Sequence, residues 1–573
     1  MPGEAPGPAL RSLRALGRSA ARGRPVLGRP RPRPDIAFHP GPTTGRHPHD
    51  PCVSPYPRYS SYIRLRQRTL TGRSNPSQHG CGSLLLHFVV MRVLLVQPPD
   101  EMEAMLGVGK ELVQKYEPLG LLYIASAVRG PGCEVSVVDA HAEGLDAEGL
   151  QARIARLRPD IAGFSVLTCS GAMVYHLGRW LKQNLPETTV VFGNIHASVY
   201  AEQYLRSGCC DFVVHGEGEE PMRRIADLRA GRCAAGDIPA VSYLKDGSLV
   251  RNPPDFYLAP DLSALQPPAR DLVDRSLYRV DTLSNQLYTG AGASGTMTVG
   301  TSRGCPYKCS FCVVNQTPRF SSPERVVDEL EALEQDFGAR YVMLVDSLCM
   351  QDAGRMLAIC AEIRRRGLRL RWGCDARVNC ATPELIRAMA AAGCYDLSFG
   401  IESGVQRLLD GVRKGIRLEM VRDAVRRVRE LSDLRVAGLF MLGLPGETPA
   451  DSLETIRFAK SLDLDMAQFS ICTPYPGSAL FETLRARGEI DTGIRPDGSL
   501  DVSVWRRYSG YISFTDNDPI WVTAEQTAEG LKGLQRRAQR EFYLRPAQIL
   551  RHIGRVRPGN VLKVLRIAWR GFF

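Results

Sequence analysis

Three cysteines with a characteristic spacing occur in the segment CPYKCSFC, at Cys305, Cys309 and Cys312. Thiolates spaced in this way can each bind one iron of a [4Fe–4S] cluster and leave the fourth iron open for a small bidentate ligand. A zinc site or a chance cluster of cysteines is the alternative. Zinc normally takes four ligands, and no fourth Cys or His lies near in the sequence. The motif therefore predicts an iron–sulfur cluster.

The motif CxxxCxxC, with the aromatic Phe311 before its last cysteine, resembles the signature of radical S-adenosylmethionine (SAM) enzymes, and the resemblance covers nearly all of the chain after Met91. It implies that the open iron chelates the amino and carboxylate groups of SAM. An electron from the cluster then cleaves SAM to a 5′-deoxyadenosyl radical, which the protein shields from water and oxygen. It also implies an external electron donor such as flavodoxin or ferredoxin.

Later segments resemble the SAM-contacting strand ends of that family. LVDSL lies where the family contacts the methionine amino group, GIESG resembles a motif that contacts the ribose or the amino acid, and GLPGET resembles a turn that shapes the adenosine pocket. Helix N-terminal charge and ordinary turn chemistry are the alternatives for such residues. The resemblance implies SAM contacts at Phe311, Asp346, Glu402, Ser403, Gly443, Gly446 and Glu447.

Two α/β domains are predicted to position these residues. From Met91, apolar runs such as RVLLVQ and EVSVVDA alternate with amphipathic helices, which predicts a parallel, doubly wound sheet of the Rossmann-like type. From Thr298 the alternation restarts and runs to about residue 500. Six βα units predict a partial (β/α)6 TIM-type barrel, with its chemistry at the carboxyl ends of the strands.

Charge and composition divide the chain of 573 residues further. Residues 1–90 hold fourteen arginines, no lysine and three acidic residues, so they carry +11 of the net charge of +12. This Arg/Pro-rich composition predicts disorder and is also typical of translated DNA upstream of a true start. We therefore expect Met91 to begin the protein, and a functional tail is the alternative. The predicted regions are 1–90, a disordered extension; 91–235, a Rossmann-like domain; 236–294, an irregular connector; 295–504, the barrel; and 505–573, a helical C-terminal region.

A Rossmann-like domain before this barrel is similar to the arrangement of cobalamin-binding radical SAM enzymes. These include the class B methyltransferases and the anaerobic magnesium-protoporphyrin monomethyl ester cyclase. SVL, at residues 165–167, matches the family's SxL, and Gly193-Asn194 stands where a GG pair is usual. A degenerate domain that binds nothing is the alternative. The resemblance implies cobalamin contacts at Gln97, Pro98, Ser165, Leu167, Gly193 and Asn194.

A DxHxxG motif, with Asp139, His141 and Gly144, resembles the motif whose histidine ligates cobalt in methionine synthase and the mutases. In those domains it follows the first strand, whereas Asp139 ends the second predicted strand here. We therefore predict that His141 is not a cobalt ligand and that cobalamin rests against the first-strand loop.

These features together predict a cobalamin-dependent C-methyltransferase that acts on an unactivated carbon of a small metabolite in natural-product or lipid biosynthesis. An oxidative cyclase or rearrangement enzyme without net methyl transfer is the alternative. A methylthiotransferase would need a second three-cysteine cluster, which residues 91–235 lack, and a non-catalytic binding protein is the most distant option. The catalytic side chain is open, with Cys472 a weak candidate beside its simpler interpretation as a buried cysteine.

Partners and compartment follow from charge and cysteine usage. The residues after the extension are nearly neutral at +1, which argues against a nucleic-acid partner. No apolar run reaches the roughly 18 residues of a membrane span. The sixteen cysteines show no secreted-domain framework and no secretory signal precedes them, so we expect a reducing cytoplasm.

Overall fold

The computed structural model describes residues 90–99, 115–278, 296–512, 515 and 517–553. The predicted extension up to residue 89 lies outside these ranges, as does the glycine-rich end of the connector. No helix in the described ranges combines the length and the hydropathy that a membrane span needs.

The first sheet contains five parallel strands in the order β2-β1-β3-β4-β5, which is the flavodoxin-like order. The predicted doubly wound sheet is confirmed, and its strands are buried apolar runs because helices cover both faces. The strands are β1 (Met91–Gln97), β2 (Cys133–Asp139), β3 (Ile161–Ser165), β4 (Thr189–Gly193) and β5 (Phe212–Val214). The helices are α1 (Leu119–Val128), α2 (Ala140–Glu143), α3 (Ala147–Leu157), α4 (Gly171–Asn184), α5 (Ile195–Val199), α6 (Ala201–Arg206) and α7 (Glu219–Arg229).

An antiparallel hairpin extends this sheet beyond β5. Its strands, β6 (Val241–Lys245) and β7 (Ser248–Arg251), raise the number of strands in the sheet to seven. The prediction of an irregular connector is therefore wrong for these residues. The turn between them is Asp246-Gly247, both at positive φ, which is the conformation of a tight hairpin turn.

The second sheet is the predicted partial barrel. Its six parallel strands follow one another in the order β15-β14-β13-β12-β11-β8. They are β8 (Met297–Val299), β11 (Tyr341–Leu344), β12 (Arg371–Ala376), β13 (Cys394–Glu402), β14 (Arg435–Leu442) and β15 (Met466–Ile471). The helices are α8 (Pro323–Gln335), α9 (Ala353–Arg366), α10 (Pro383–Ala391), α11 (Gln406–Gly411), α12 (Leu418–Leu431), α13 (Pro449–Ser461) and α14 (Ala479–Ala486).

Several barrel helices start with the same local chemistry. Ser322, Thr382 and Thr448 each accept a backbone N–H of the first turn, and each is followed by proline. A hydroxyl cap stabilises the otherwise unpaired N–H groups, and proline has no N–H to leave unpaired. These starts fix where each strand-end loop passes into its helix.

Two further features complete the fold. A short ribbon, β9 (Ser302–Arg303) paired antiparallel with β10 (Arg319–Phe320), follows β8. After the barrel come a 3₁₀ turn at Val502–Arg507 and two helices, α15 (Ala528–Tyr543) and α16 (Pro546–Ile553). The last part of the predicted helical C-terminal region, 554–573, lies outside the described residues.

One hydrophobic core joins the two sheets. It contains Leu94 and Val96 from β1 together with Leu408 from α11 and Leu480 from α14. Because burial of this apolar surface stabilises both parts at once, the loops at the carboxyl ends of the two sheets are held by shared packing.

Candidate active site

The cysteine motif lies in the loop 304–318, whose two ends are closed by the ribbon β9–β10. The amide of Cys305 donates to the carbonyl of Asn315 at 2.8 Å. Gly304 has φ +85°, and a Cβ there would lie 2.3 Å from the carbonyl oxygen of Thr317. Only glycine fits this close approach, so the first cysteine follows a turn of defined shape.

The three cysteines differ from most others in the described part of the chain. Cys305 and Cys309 are half-buried and Cys312 is exposed, whereas Cys349 and Cys374 are buried. No three His, Cys, Asp or Glu side chains in the described ranges converge where one metal ion could bind. A cluster does not require convergence, because each cysteine binds a different iron. Three accessible thiols on one glycine-hinged loop fit a [4Fe–4S] cluster.

Two cationic residues that sequence analysis missed or left open stand beside the loop. Arg377, after β12, lies with Nη1 3.7 Å from Cys309 Sγ and stacks on the ring of Tyr307 at 3.6 Å. It also donates to the carbonyl of Lys414. A guanidinium at this distance offsets the negative charge of thiolates that hold a cluster. In the sequence, Arg377 is visible only as an arginine at the end of a predicted strand. Its position beside the cysteines becomes apparent only in the folded structure.

Glu402 forms a buried ion pair in a strained backbone position. Its Oε1 is 2.6 Å from Lys414 Nζ, and both side chains are about nine-tenths buried. Glu402 has φ +69° at a register shift between β13 and β14. Non-glycine residues in this region of φ are uncommon and concentrate at functional sites. The prediction that Glu402 contacts SAM is untested, but the residue does lie at the carboxyl end of β13.

Asp346, after β11, is bound within the first turns of the barrel. Its carboxylate accepts from the amide of Thr301 at 2.6 Å and from the amide and hydroxyl of Ser302 at 3.0 and 2.7 Å. Burial raises the pKa of Asp346, although these hydrogen bonds favour the ionised form. The side chain therefore fixes the segment that leads into the cysteine loop. Its predicted contact with the SAM amino group stays a prediction.

The other SAM-associated strand ends are also internally bonded. The Ser403 hydroxyl lies 3.1 Å from Thr455 Oγ1, and Glu447 accepts from the amide of Leu444 at 2.9 Å. Burial raises the pKa of Glu447. Gly443 and Gly446 have φ values of +80° and +71°, so these turns need glycine. The loops have the predicted turn geometry, while their SAM contacts, like that of the half-buried Phe311, remain predictions.

The predicted cobalamin residues lie together at the carboxyl edge of the first sheet. Gln97, Ser165 and Gly193 end the neighbouring strands β1, β3 and β4. Asn194 Nδ2 donates to Ser165 Oγ at 3.2 Å and has φ +80°, the conformation that favours glycine. Asparagine thus stands at the position of the second glycine of the usual pair in a backbone conformation that glycine favours. Pro98 is buried beside this edge, and Leu167 is exposed on it.

The DxHxxG segment forms a short capped helix rather than a first-strand loop. Asp139 accepts from the amide of Ala142 at 3.0 Å and from the Tyr278 hydroxyl at 2.8 Å. Gly144 ends the helix with φ +69°. This accounts for the aspartate and the glycine by local structure alone. His141 is half-buried after β2, the edge strand, two strands away from Ser165.

Cys472 follows β15 and belongs to the hydrophobic core. It is 1 % exposed, and burial raises the pKa of its thiol. A thiol with a raised pKa is a weak proton donor, and its burial in the core keeps it from a substrate in the barrel. Its environment is that of a structural cysteine, which was the simpler interpretation.

Family models match both parts of the chain. The B12 binding domain matches residues 105–226, and the Radical SAM superfamily matches residues 299–459. A protein of Pyrococcus horikoshii named as an uncharacterized methyltransferase is 33 % identical over 470 residues, which cover 81 % of this chain and 95 % of that protein. The anaerobic magnesium-protoporphyrin IX monomethyl ester cyclase of Rubrivivax gelatinosus is 28 % identical over 415 residues, 70 % of this chain and 71 % of the cyclase.

A solved structure has the same fold. The radical S-adenosylmethionine methyltransferase TsrM from Kitasatospora setae, with cobalamin and a [4Fe–4S] cluster bound, superposes with a TM-score of 0.58 over 82 % of this chain and 92 % of its own, at 19 % identity. Fold and site thus define a radical SAM enzyme with a B12-binding domain before its barrel. The chain belongs to the cobalamin-binding family of radical SAM enzymes, as the cysteine motif and the Rossmann-like domain predicted.

Proposed function

We propose that this enzyme transfers a methyl group to an unactivated carbon of a small molecule. When bound, the [4Fe–4S] cluster and SAM supply a carbon-centred radical for hydrogen abstraction, and cobalamin supplies the methyl group. Cys305, Cys309 and Cys312 hold the cluster. The edge at Ser165 and Asn194 receives cobalamin. Arg377 and the Glu402–Lys414 pair place compensated charge beside the cysteines.

One contact carries this proposal. The loop after β15 lies between the two predicted cofactor edges, because the amide of Leu480 donates to the carbonyl of Ser310 in the cysteine loop at 2.8 Å. On its other side, Gly477 packs so closely on the loop after β4 that a Cβ there would lie 3.1 Å from Ile195 Cδ1. The segment from Gly477 to Leu480 thus borders both predicted cofactor sites. This closeness is what a reaction needs when the radical and the methyl group must meet at one carbon.

The oxidative cyclase is the second candidate, and sequence similarity to the Rubrivivax cyclase favours it. The two functions differ in the products of SAM. A methylase consumes SAM both as the radical source and as the methyl donor, so 5′-deoxyadenosine and S-adenosylhomocysteine both accumulate. A cyclase does not form S-adenosylhomocysteine. The substrate class, a small metabolite of natural-product or lipid biosynthesis, is part of the proposal.

Anaerobic reconstitution of the full chain with iron, sulfide and hydroxocobalamin tests this function. The enzyme is reduced by flavodoxin or ferredoxin, the proposed electron donors, and the products of SAM are measured by mass spectrometry. We expect both products; S-adenosylhomocysteine missing while 5′-deoxyadenosine forms would favour the cyclase. A reducing cytoplasm remains part of the proposal; no two cysteines in the described ranges form a disulfide.

A further inference from the structure

Four charged side chains join the first domain to the ribbon β9–β10, which closes the cysteine loop. Arg303 in β9 and Arg319 in β10 are paired directly across the ribbon. Two like charges at opposed positions destabilise an antiparallel pair. Glu217 compensates both, because its Oε2 lies 3.0 Å from Arg303 Nη1 and 2.9 Å from Arg319 Nη1. Glu219 adds a contact of 2.7 Å to Arg303 Nη2.

The two carboxylates come from a rigid part of the cobalamin-binding domain. Gly216 has φ +88°, and a Cβ there would lie 2.3 Å from the carbonyl oxygen of Tyr257. The amide of Glu217 donates to that same carbonyl at 2.9 Å, and Glu217 Oε2 accepts from the amide of Ala259 at 2.8 Å. Glu217 is therefore held by contacts that do not involve the ribbon.

Burial makes these ion pairs strong. The four side chains range from 8 % exposed for Glu219 to 25 % exposed for Arg303, so solvent screens them little. Burial tends to raise the pKa of Glu217, but the hydrogen bond from Arg319 and the charge of Arg303 hold it below its usual value. Removal of one carboxylate leaves buried arginines without compensation, which costs more than the loss of an exposed pair.

We propose that Glu217 and Glu219 are positioning residues, which hold the iron–sulfur loop in register with the cobalamin-binding sheet. The ribbon closes both ends of loop 304–318. Its position therefore determines where the three cysteines of the motif lie relative to the edge at Ser165 and Asn194. This inference rests on the proposed function for its two cofactors, but its main test does not require methyl transfer.

A second buried ion network joins the same two domains away from the ribbon. It provides a control that distinguishes positioning of the cysteine loop from general stabilisation of the domain interface. Arg270 of the connector bonds Glu117, which precedes α1, and Glu329 in α8 of the barrel, the latter at 2.7 Å. Glu329 also accepts a hydrogen bond from Tyr123 at 3.2 Å, and within the described ranges it forms no hydrogen bond or ion pair with the ribbon. The ring of Tyr123 lies 5.4 Å from the Arg303 guanidinium, so the control must leave the Tyr123 hydroxyl bonded. Glu329→Gln keeps an acceptor for Tyr123, so it is the matched control for loss of a buried carboxylate between the same two domains.

The test measures amide hydrogen exchange of residues 304–318 in the reconstituted full chain. We expect Glu217→Gln to raise exchange in this loop by about tenfold or more, because a charged, buried hydrogen-bond partner is lost. Glu329→Gln should leave the loop unchanged. Glu217→Gln combined with Arg319→Gln should restore much of the protection, because it removes the opposed like charges. An unchanged loop in Glu217→Gln, or equal exchange in Glu329→Gln, would overturn the proposal.

Two further readouts link positioning to chemistry. The EPR signal of the reduced cluster in the presence of SAM should broaden in Glu217→Gln and stay sharp in Glu329→Gln. The ratio of 5′-deoxyadenosine to S-adenosylhomocysteine should rise several-fold in Glu217→Gln, since radicals form without productive methyl transfer. If the wild-type enzyme makes no S-adenosylhomocysteine, the proposed function fails, while hydrogen exchange and EPR still decide the role of Glu217.

Discussion

In the loop between β9 and β10 the three cysteine side chains are exposed or half-buried, whereas in the loops after β11, β13 and β14 the acidic and hydroxyl side chains are bound inside their own turns. Cys312 is exposed, but Asp346 and Glu447 accept hydrogen bonds from their neighbours and are buried. The two kinds of loop lie at the same end of one barrel. In the first the side chains are available as ligands, and in the second they shape the backbone.

This difference changes what a substitution should do. A change in the cysteine loop removes a ligand and leaves the fold intact. A change at Asp346, Ser403 or Glu447 leaves buried donors without partners and acts first on stability. Motif resemblance alone treats both kinds of residue as cofactor contacts. Separate measurements of stability and of cofactor content can tell them apart.

The largest effect is expected from loss of a cluster ligand. Cys309→Ala should abolish the visible absorption of the reconstituted cluster and lower 5′-deoxyadenosine formation by more than about a thousandfold, because two thiolates do not retain the cube. Cys360→Ala, at a buried cysteine of α9, is the control and should keep both. An intact cluster in Cys309→Ala would remove the distinction between the two kinds of loop.

The ion pair of Glu402 and Lys414 should show the opposite pattern. Lys414→Met leaves Glu402 buried without its partner, so we expect a loss of about 3–5 kcal/mol in unfolding free energy. Glu402→Gln with Lys414→Met should recover much of it, because no buried charge remains. Anaerobic denaturant titration of the three proteins measures these values. A Lys414→Met protein as stable as the wild type would show that Glu402 is free to bind a ligand.

Asp396 in β13 is a further acidic side chain bonded within the barrel, and it should make the stability of the protein depend on pH. Burial raises its pKa to about 7, against the hydrogen bond from Tyr341 and the charge of Arg435, while Asp375 adds to the rise. Asp375 itself has a pKa raised to about 6 by burial. Between pH 4 and 7 the native carboxyl of Asp396 keeps a proton that the unfolded chain has lost. The unfolding free energy contributed by this group therefore falls as the pH rises through this window.

Asp396→Asn removes that titration. Between pH 4.5 and 7.5 the wild type should lose more unfolding free energy than the variant, by on the order of 2 kcal/mol. Denaturant titration at three pH values across the window measures this difference. Parallel pH dependence in both proteins would mean that Asp396 is ionised in the native barrel, as an available ligand would be.

Features of the fold and the site that depend on neighbouring residues could be predicted from the sequence. Contacts between residues far apart in the chain could not. The alternation of strands and helices predicted the parallel sheet correctly, and Ser165 and Gly193 share an edge because both end buried strands of that sheet. The hairpin has a local sequence signal, the turn Asp246-Gly247. Sequence analysis missed it because the surrounding segment is rich in proline and was predicted to be irregular. The contact of Glu217 with Arg319 had no signal, since it joins residues 102 positions apart and depends on how the two domains pack.

The smallest effect is expected at His141, where a ligand motif coincides with a structural one. The cap from Asp139, its bond with Tyr278 and the left-handed Gly144 account for the aspartate and the glycine of the motif without a role for the imidazole. His141→Ala should therefore keep the base-off spectrum of bound cobalamin and lose at most about 0.5 kcal/mol of stability. Asp139→Ala, by contrast, should lose about 1–2 kcal/mol, because it removes a helix cap. A spectral change in His141→Ala that matches loss of an imidazole ligand would show that His141 binds cobalt and is not merely part of the loop structure.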